Sequence, residues 1–257
     1  MRIFCMACLL FATSAQAAFL DEIQVYDSEI NEVGEFGLEV HVNTTLIGDK
    51  TPAFNQERVS AGGVRLTPEF SYGLTKEIEL GFYLPTVYTP GYGYESAGYK
   101  SRIKWMPLLT DGEQPWSAGV NFEYSNLNTG MELAHKNFEA RTILAWDKDR
   151  WSVAVNPIFD FSVSDGQDRT ADFNMGLRAM YALNGPLSGV GLEYYEDFGA
   201  INQLATPPAM QAKQIFAIAE MKSLSGLFKG IDLHMGLGYG WDSANTLTLK
   251  MILTPKF

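Results

Sequence analysis

The sequence predicts an all-β protein, a transmembrane antiparallel β-barrel of about twelve strands that follows a cleaved signal peptide. Three observations support this prediction. The first residues form an export signal, apolar and polar residues later alternate in twelve segments, and no later run approaches the roughly 18 apolar residues of a membrane helix. Without such a helix the chain can cross a membrane only as a closed sheet, because lipid offers no hydrogen-bond partners to an open backbone.

The N-terminus is typical of an exported protein. Met1 and Arg2 provide a positive start, a short apolar run follows, and Ala15-Gln16-Ala17 has the small-x-small pattern of a cleavage site. The apolar run is too short to span a bilayer as a helix. We therefore predict a signal peptide over residues 1–17 and a mature chain that begins at Ala18.

Composition restricts the chemistry of the mature chain. Both cysteines, Cys5 and Cys8, lie in the signal peptide, so the mature chain is expected to have no disulfide, no thiolate metal site and no catalytic cysteine. The full chain has 19 Lys and Arg, and loss of Arg2 leaves 18 against 30 Asp and Glu, a net charge of −12. This charge argues against nucleic acid as a partner. We expect no cofactor and no metal.

The mature chain begins with residues 18–35, which are acidic and weakly patterned. We expect them to form a periplasmic tail or a plug segment, and the barrel to occupy residues 36–257. Side chains of a strand alternate between its two faces, so each alternating segment predicts one strand. The twelve segments are residues 36–43, 64–72, 77–84, 99–105, 116–124, 137–146, 151–161, 172–181, 190–197, 213–222, 231–240 and 245–257. The tenth is ambiguous in phase, because Ile215, Phe216 and Ile218 fall on both faces.

Alternation also fits a soluble lipocalin-like barrel, whose apolar face points inward. Three features favour the membrane barrel. The polar face is rich in charged residues, Asn and Gly, as a wet lumen would be. Connections after strands 1, 3, 5 and 9 are long, and those after strands 2, 4, 6, 8 and 10 are short, as in outer-membrane barrels. Trp105 and Trp116 bracket one turn, and Trp146 and Trp151 bracket another, which predicts an aromatic girdle at one rim.

The last segment, residues 245–257, resembles the C-terminal strand of bacterial outer-membrane barrels. One face of it is apolar and ends on an aromatic residue, with the members Leu247, Leu249, Met251, Leu253 and Phe257. The resemblance implies that Phe257 is an assembly signal read by the barrel assembly machinery. It also implies the outer membrane of a Gram-negative bacterium as the location and outer-membrane lipids as partners.

Four stretches resemble a Gram-negative outer-membrane family labelled meta-pathway phenol-degradation proteins. They are DEIQVYDSEI (Asp21–Ile30), FGLEVHVN (Phe36–Asn43), GLEYYEDFG (Gly191–Gly199) and GYGWDSANTLTLKMILT (Gly238–Thr254). The likeness covers nearly the whole mature chain. It implies transport of aromatic or other small hydrophobic compounds at the outer membrane.

The polar faces supply candidate pore-lining residues. These are Glu39, His41, Glu77, Glu79, Lys100, Arg102, Lys104, Glu123, Glu139, Arg141, Asp160, Arg178, Asp232 and His234. Lys100, Arg102 and Lys104 form a basic column between acidic neighbours. The column is either a cross-strand ion-pair ladder that stiffens the barrel or a constriction that screens solutes. Four residues on the first and eleventh strands, Glu39, His41, Asp232 and His234, could bind a metal. The absence of a short spacing motif favours mutually satisfied polar residues instead.

These features predict an outer-membrane channel for passive or selective uptake of a small-molecule solute, with aromatic or hydrophobic compounds as the implied class. The loop Tyr88–Tyr94 could stack planar solutes at the mouth. An outer-membrane lipid-modifying enzyme is the alternative, and a structural or adhesin barrel is a third. Enzyme function is not expected, because His41 and His234 are predicted to face the lumen and the chain has no GxSxG elbow.

Overall fold

The chain forms fourteen β-strands in a computed structural model that describes residues 22–110, 113–204, 211–222, 229–242 and 245–256. The predicted signal peptide, its cleavage site and the assembly signal at Phe257 lie outside these ranges. No helix among the described residues is long and apolar enough to cross a membrane. The strands are β1 (Phe36–Gly48), β2 (Val64–Gly73), β3 (Ile78–Tyr83), β4 (Thr86–Thr89), β5 (Gly93–Ser96), β6 (Gly98–Leu108), β7 (Trp116–Leu127), β8 (Lys136–Lys148), β9 (Trp151–Ser162), β10 (Asp172–Ala182), β11 (Leu187–Ala200), β12 (Lys213–Met221), β13 (Ile231–Trp241) and β14 (Asn245–Pro255).

Twelve of these strands close into an antiparallel barrel. β1 pairs with β2 on one side and with β14 on the other, β3 pairs with β6, and each strand from β6 to β13 pairs with the next. Closure leaves no unpaired sheet edge in the wall. The predicted closed barrel of twelve strands is confirmed. β4 and β5 form a hairpin beyond β3 and β6, and β4 pairs with the first residues of β2.

The barrel strands are apolar and exposed on one face and mostly polar and buried on the other. Ile103, Leu192 and Leu237 are 50%, 53% and 52% exposed. Their sequence neighbours Arg102 and Glu193 are 8% and 1% exposed. An apolar outer band with a polar interior is the arrangement of outer-membrane barrels, because lipid rather than water covers the outside.

The structure determines the phase of the strand that the sequence left ambiguous. In β12 the side chains of Phe216 and Ile218 are buried inside the barrel, and Ile215 is 38% exposed on the outside. Phe216 lies opposite Gly238 of β13. A Cβ atom on Gly238 would lie 2.3 Å from the Phe216 ring, so the ring fits only beside a glycine.

Loop lengths follow the predicted alternation except at one position. Two residues, 149–150, join β8 to β9, whereas residues 49–63 join β1 to β2. The connection from β12 to β13 covers residues 222–230, so the prediction of a short turn after the tenth barrel strand is wrong. β13 begins only after Gly230, whose φ of 81° is a conformation that favours glycine.

Four of the five tryptophans gather at one rim. Neighbouring strands are antiparallel, so β1 begins and β14 ends at the same rim, which we call the terminal rim. Trp105 lies near the end of β6, Trp116 and Trp151 open β7 and β9, and Trp146 lies near the end of β8. All four therefore lie toward the terminal rim, and Trp105, Trp116 and Trp151 are about half exposed. We call the other end of the barrel the opposite rim.

Met251 offers a test of which face of β14 meets lipid. It lies opposite Val42 of β1 and Met235 of β13, while its neighbours Lys250 and Ile252 are buried inside the barrel. We expect Met251→Asp to reduce the yield of folded barrel, because a charged side chain on the lipid face destabilises the barrel. The free-energy cost at mid-bilayer is about 2–4 kcal/mol for a basic residue and somewhat less for Asp. Heat-modifiable mobility on gels measures this yield. Met251→Leu is the matched control, and equal yields from both variants would contradict the assignment of this face.

Candidate functional site: the barrel lumen

Residues 22–35, which we call the N-terminal segment, lie inside the barrel. The chain enters at the terminal rim through a turn in which the N–H of Gly34 donates to the carbonyl of Gly73 at 2.8 Å. A Cβ atom on Gly73 would lie 2.0 Å from the carbonyl oxygen of Glu32, so only glycine allows this close approach. From this turn the segment runs into the lumen, where Ile23 and Tyr26 are 4% and 5% exposed.

Tyr26 anchors the N-terminal segment to the wall. Its backbone N–H donates to Oδ1 of Asn156 at 2.6 Å, and Nδ2 of Asn156 donates back to its carbonyl at 2.9 Å. Its hydroxyl lies 2.8 Å from that of Tyr83 and donates to Glu22 at 2.7 Å. The guanidinium carbon of Arg141 lies 4.3 Å from the centre of its ring, within the range of a cation–π contact. Tyr26 thus bonds to the wall through both its backbone and its side chain.

Basic side chains of the wall hold the rest of the segment. Asp27 is paired with Arg178, and the Lys100 ammonium lies 3.5 Å from a carboxylate oxygen of Glu22. Nζ of Lys250 donates to the carbonyl of Ile23 at 2.9 Å. Burial alone would raise the pKa of the Asp27 and Glu22 carboxyls. Arg178 and Lys100 outweigh it, so both pKa values lie below the usual range. Both carboxyls therefore contribute to holding the segment as charged groups.

A first ion-pair network covers the wall at β1, β2, β3 and β6. Arg102 is its centre, with Nη2 at 2.6 Å from Glu69 and at 2.8 Å from Glu79. Nε of Arg102 also donates to the hydroxyl of Tyr83 at 2.7 Å. The other oxygen of Glu69 lies 3.1 Å from Nε2 of His41. Because the Tyr83 hydroxyl also contacts Tyr26, this network connects the wall to the N-terminal segment.

A second network covers the wall at β10 to β14. Glu193 is paired with the fully buried Lys250 and accepts a hydrogen bond from the Tyr195 hydroxyl at 2.7 Å. His234 lies 3.5 Å from Glu193 and 3.3 Å from Glu220. Glu220 also pairs with Arg178, which contacts Asp27. The second network is therefore also connected to the N-terminal segment.

Thirteen of the fourteen sequence candidates have side chains on the interior face of the strands. They are Glu39, His41, Glu79, Lys100, Arg102, Lys104, Glu123, Glu139, Arg141, Asp160, Arg178, Asp232 and His234. Glu77 departs from this set. It precedes β3, in the turn at the terminal rim, and its carboxylate accepts a hydrogen bond at 3.3 Å from the exposed Trp105. Because Glu77 lies outside β3, the side-chain alternation of that strand does not extend to it, and its side chain is exposed at the rim.

The basic column has the contacts of an ion-pair ladder. Lys100 lies 2.9 Å from Glu123, Arg102 bonds to two glutamates, and Lys104 donates to the backbone carbonyl of Glu29. Each of these three basic groups therefore has a partner in the wall or in the N-terminal segment. This arrangement matches the structural interpretation of the column more closely than a ring of free charges.

The four residues considered for a metal separate into different networks. His41 belongs to the first network and His234 to the second, with β14 between their strands. Asp232 lies 2.9 Å from Lys256. Glu39, His41 and Glu69 do lie together, with one ligand atom of each within 4.8 Å of the others. The carboxylate of Glu69 already bonds to Arg102, however, which reduces its capacity to bind a cation.

Several residues that build the site were not selected from the sequence. Glu69, Glu193 and Lys250 lie on the polar faces of their strands, so the alternation itself could have identified them. Tyr26 and Asp27 lie in the weakly patterned N-terminal segment, where no periodicity marks a buried side chain.

A cavity of about 440 Å³ lies between the N-terminal segment and the wall, toward the terminal rim. Its lining includes four basic residues (Arg102, Lys104, Arg178 and Lys222) and twice as many acidic ones. The acidic residues are Asp27, Glu29, Glu39, Glu69, Glu79, Glu193, Glu220 and Asp232. The space accessible to a solute on this side of the segment is therefore polar and predominantly acidic.

The tyrosine-rich loop at the opposite rim forms the hairpin of β4 and β5. Val87 and Thr89 of this hairpin are fully buried on its inner side. Tyr88 and Tyr94 face each other across the hairpin on its other side and are 44% and 64% exposed. Tyr92 lies at the tip, where the guanidinium carbon of Arg58 is 3.9 Å from the centre of its ring. The exposed rings thus lie on the outside of the hairpin.

No family model matches the chain, and no curated protein sequence matches it. Solved structures of outer-membrane channels do. The COG4313 outer membrane channel from Pseudomonas putida F1 is 16% identical, has a TM-score of 0.60, and the match covers 92% of this chain and 100% of that one. The KdgM porin is 10% identical with a TM-score of 0.56, and the match covers 86% and 99% of the two chains. The NanC porin is 10% identical with a TM-score of 0.55, covering 86% and 100%.

At these identities the likeness shows the fold. The chain has the barrel fold of outer-membrane porins and channels, and this fold is consistent with an outer-membrane location. The phenol-degradation family suggested by the sequence is not confirmed.

Proposed function

We propose that this protein is an outer-membrane channel for the uptake of small solutes, in which the N-terminal segment narrows the path. The observation that supports this most is the polar interior of a closed barrel, with a cavity of about 440 Å³ beside the segment. A lumen filled only by interlocking side chains would leave no such space. Solved structures with a similar fold are channels and porins, which supports the same class of function.

We further propose the division of the chain and its orientation. Residues 1–17 are a signal peptide, residues 18–35 form a plug segment, and residues 36–257 form the barrel. The terminal rim has four of the five tryptophans, and its turns at residues 74–77, 149–150 and 183–186 are short. We propose that this rim faces the periplasm, since short turns are periplasmic in barrels of this class. The opposite rim then faces outward, and solutes meet it first.

A preference for aromatic solutes, which the family resemblance implied, has limited support in the lumen. The tyrosines of the β4–β5 hairpin lie on its outer side, and Tyr26 and Tyr83 are hydrogen-bonded to each other inside the barrel. Neither set offers a free ring face along the path. We therefore propose polar solutes as the principal class.

We propose a channel rather than an enzyme because the two histidines of the barrel strands lack the surroundings of a lipid-facing catalytic pair. His41 and His234 lie inside the barrel in separate ion-pair networks, and acidic residues are their closest charged partners. A lipid-modifying enzyme would need a nucleophile and base that reach the lipid phase.

Planar-bilayer recording of the purified mature protein tests the channel proposal. We expect discrete single-channel steps, smaller than those of an unobstructed barrel with the same number of strands, because the N-terminal segment takes up part of the lumen. Heat-denatured protein from the same preparation is the control. Absence of conductance from protein that runs as a folded, heat-modifiable band would contradict a channel and favour a structural role.

A further inference from the structure

A row of carboxylates crosses four neighbouring strands on the interior face, toward the opposite rim. Glu123 of β7 lies directly opposite Glu139 of β8, and Glu139 lies opposite Asp160 of β9. Asp160 in turn lies opposite Asp172, the first residue of β10. Like charges directly opposite each other destabilise a sheet, so the fold alone gives no reason for this row.

Only part of the row is neutralised by the described residues. Lys100 lies 2.9 Å from Glu123, and Arg141 lies 2.9 Å from Glu139. No ion pair to Asp160 or Asp172 occurs within the described ranges. Oδ1 of Asp160 is buried and has no hydrogen-bond donor among the described residues. Asp172 is exposed at the start of β10. An unpartnered buried carboxylate oxygen beside a second unpaired carboxylate is suited to receive a cationic group.

The other basic residues of the lumen do not offset the charge of Asp160 and Asp172, because they have partners elsewhere. Arg102, Arg178 and Lys250 each have a carboxylate partner outside the row, and Lys104 donates to a backbone carbonyl. On the other side of the N-terminal segment the cavity is lined by twice as many acidic as basic residues. Both ends of the path therefore present negative charge.

We propose that the channel selects cations, with small amine- or guanidinium-bearing solutes as its substrate class and with Asp160 and Asp172 as the entry site. This inference rests on the proposed channel function. Charged groups in a narrow lumen with low-dielectric walls concentrate ions of opposite sign and exclude ions of like sign. A solute ammonium at the row would neutralise the unpaired carboxylates before passing to the acidic cavity.

Reversal potentials of the full mature protein in a KCl gradient test the proposal. We expect K⁺ to permeate more readily than Cl⁻, and we expect Asp160→Asn with Asp172→Asn to move the permeability ratio toward unity. The double variant removes repulsion between neighbours, so it should fold at least as well as the wild type. Asp149→Asn is the matched control. Asp149 is exposed in the β8–β9 turn at the terminal rim, and asparagine suits its φ of 56°.

Uptake into proteoliposomes gives a second readout with solutes of matched length. We expect 1,4-diaminobutane to enter faster than succinate, and the double variant to reduce this difference. Conductance with a preference for Cl⁻, or an unchanged ratio in a conducting double variant, would overturn cation selectivity and leave the channel function standing. Absence of conductance from folded wild-type protein would overturn the channel function and this inference with it.

Discussion

Removal of residues 18–31 is expected to increase the single-channel conductance several-fold. These residues include the part of the N-terminal segment that contacts the interior wall through Tyr26 and Asp27. The deletion keeps the turn at Gly34 and the hydrogen bonds that lead into β1. Conductance rises with the free cross-section of the lumen, and a polypeptide inside the barrel takes up much of it. Recording in planar bilayers under identical salt measures the change.

Asn156→Ala tests the same idea with a single side chain. It removes two hydrogen bonds to the backbone of Tyr26, each worth about 0.5–1.5 kcal/mol. Since about 1.4 kcal/mol corresponds to a factor of ten, we expect brief openings to a larger conductance to become roughly tenfold more frequent or more.

Asn121→Ala is the matched control for this variant. Asn121 is also fully buried on the interior face, but its side chain has no hydrogen-bond partner among the described residues. If neither the deletion nor Asn156→Ala alters conductance relative to Asn121→Ala, the N-terminal segment does not limit the path.

Most of the barrel could be predicted from the sequence because strand alternation is a local property. The period of two along β11 places Glu193 on the polar face of that strand, and the period along β14 does the same for Lys250. Neither assignment needs knowledge of another strand. The phase of β12 could not be obtained in this way. It depends on Gly238, a residue of the next strand, which leaves space for the Phe216 ring.

The lumen was less accessible to sequence analysis because its contacts join distant parts of the chain. Asp27 and Arg178 are separated by 151 positions, and Tyr26 and Asn156 by 130. The N-terminal segment has no regular structure, so its buried and exposed positions follow no period. The acidic row at Asp160 and Asp172 likewise becomes visible only when the register of the strands is known.

Arg102→Met is expected to destabilise the barrel strongly. Its guanidinium bonds to Glu69, Glu79 and Tyr83, and the arginine is 8% exposed. Its loss would leave two carboxylates side by side without their cation, and breaking a buried ion pair in this way costs about 3–5 kcal/mol. We expect a lower denaturant midpoint in urea, measured by the loss of heat-modifiable mobility. Arg150→Met, at an exposed turn residue, is the matched control and should leave the midpoint unchanged.

Combining Arg102→Met with Glu69→Gln and Glu79→Gln distinguishes the loss of charge balance from the loss of packing. The triple variant removes the uncompensated charges, and a buried amide costs less than a buried carboxylate that has lost its cation. We therefore expect it to regain much of the stability that Arg102→Met loses. A triple variant no more stable than Arg102→Met would show that the hydrogen bonds of the guanidinium, including the one to Tyr83, hold this wall rather than its charge.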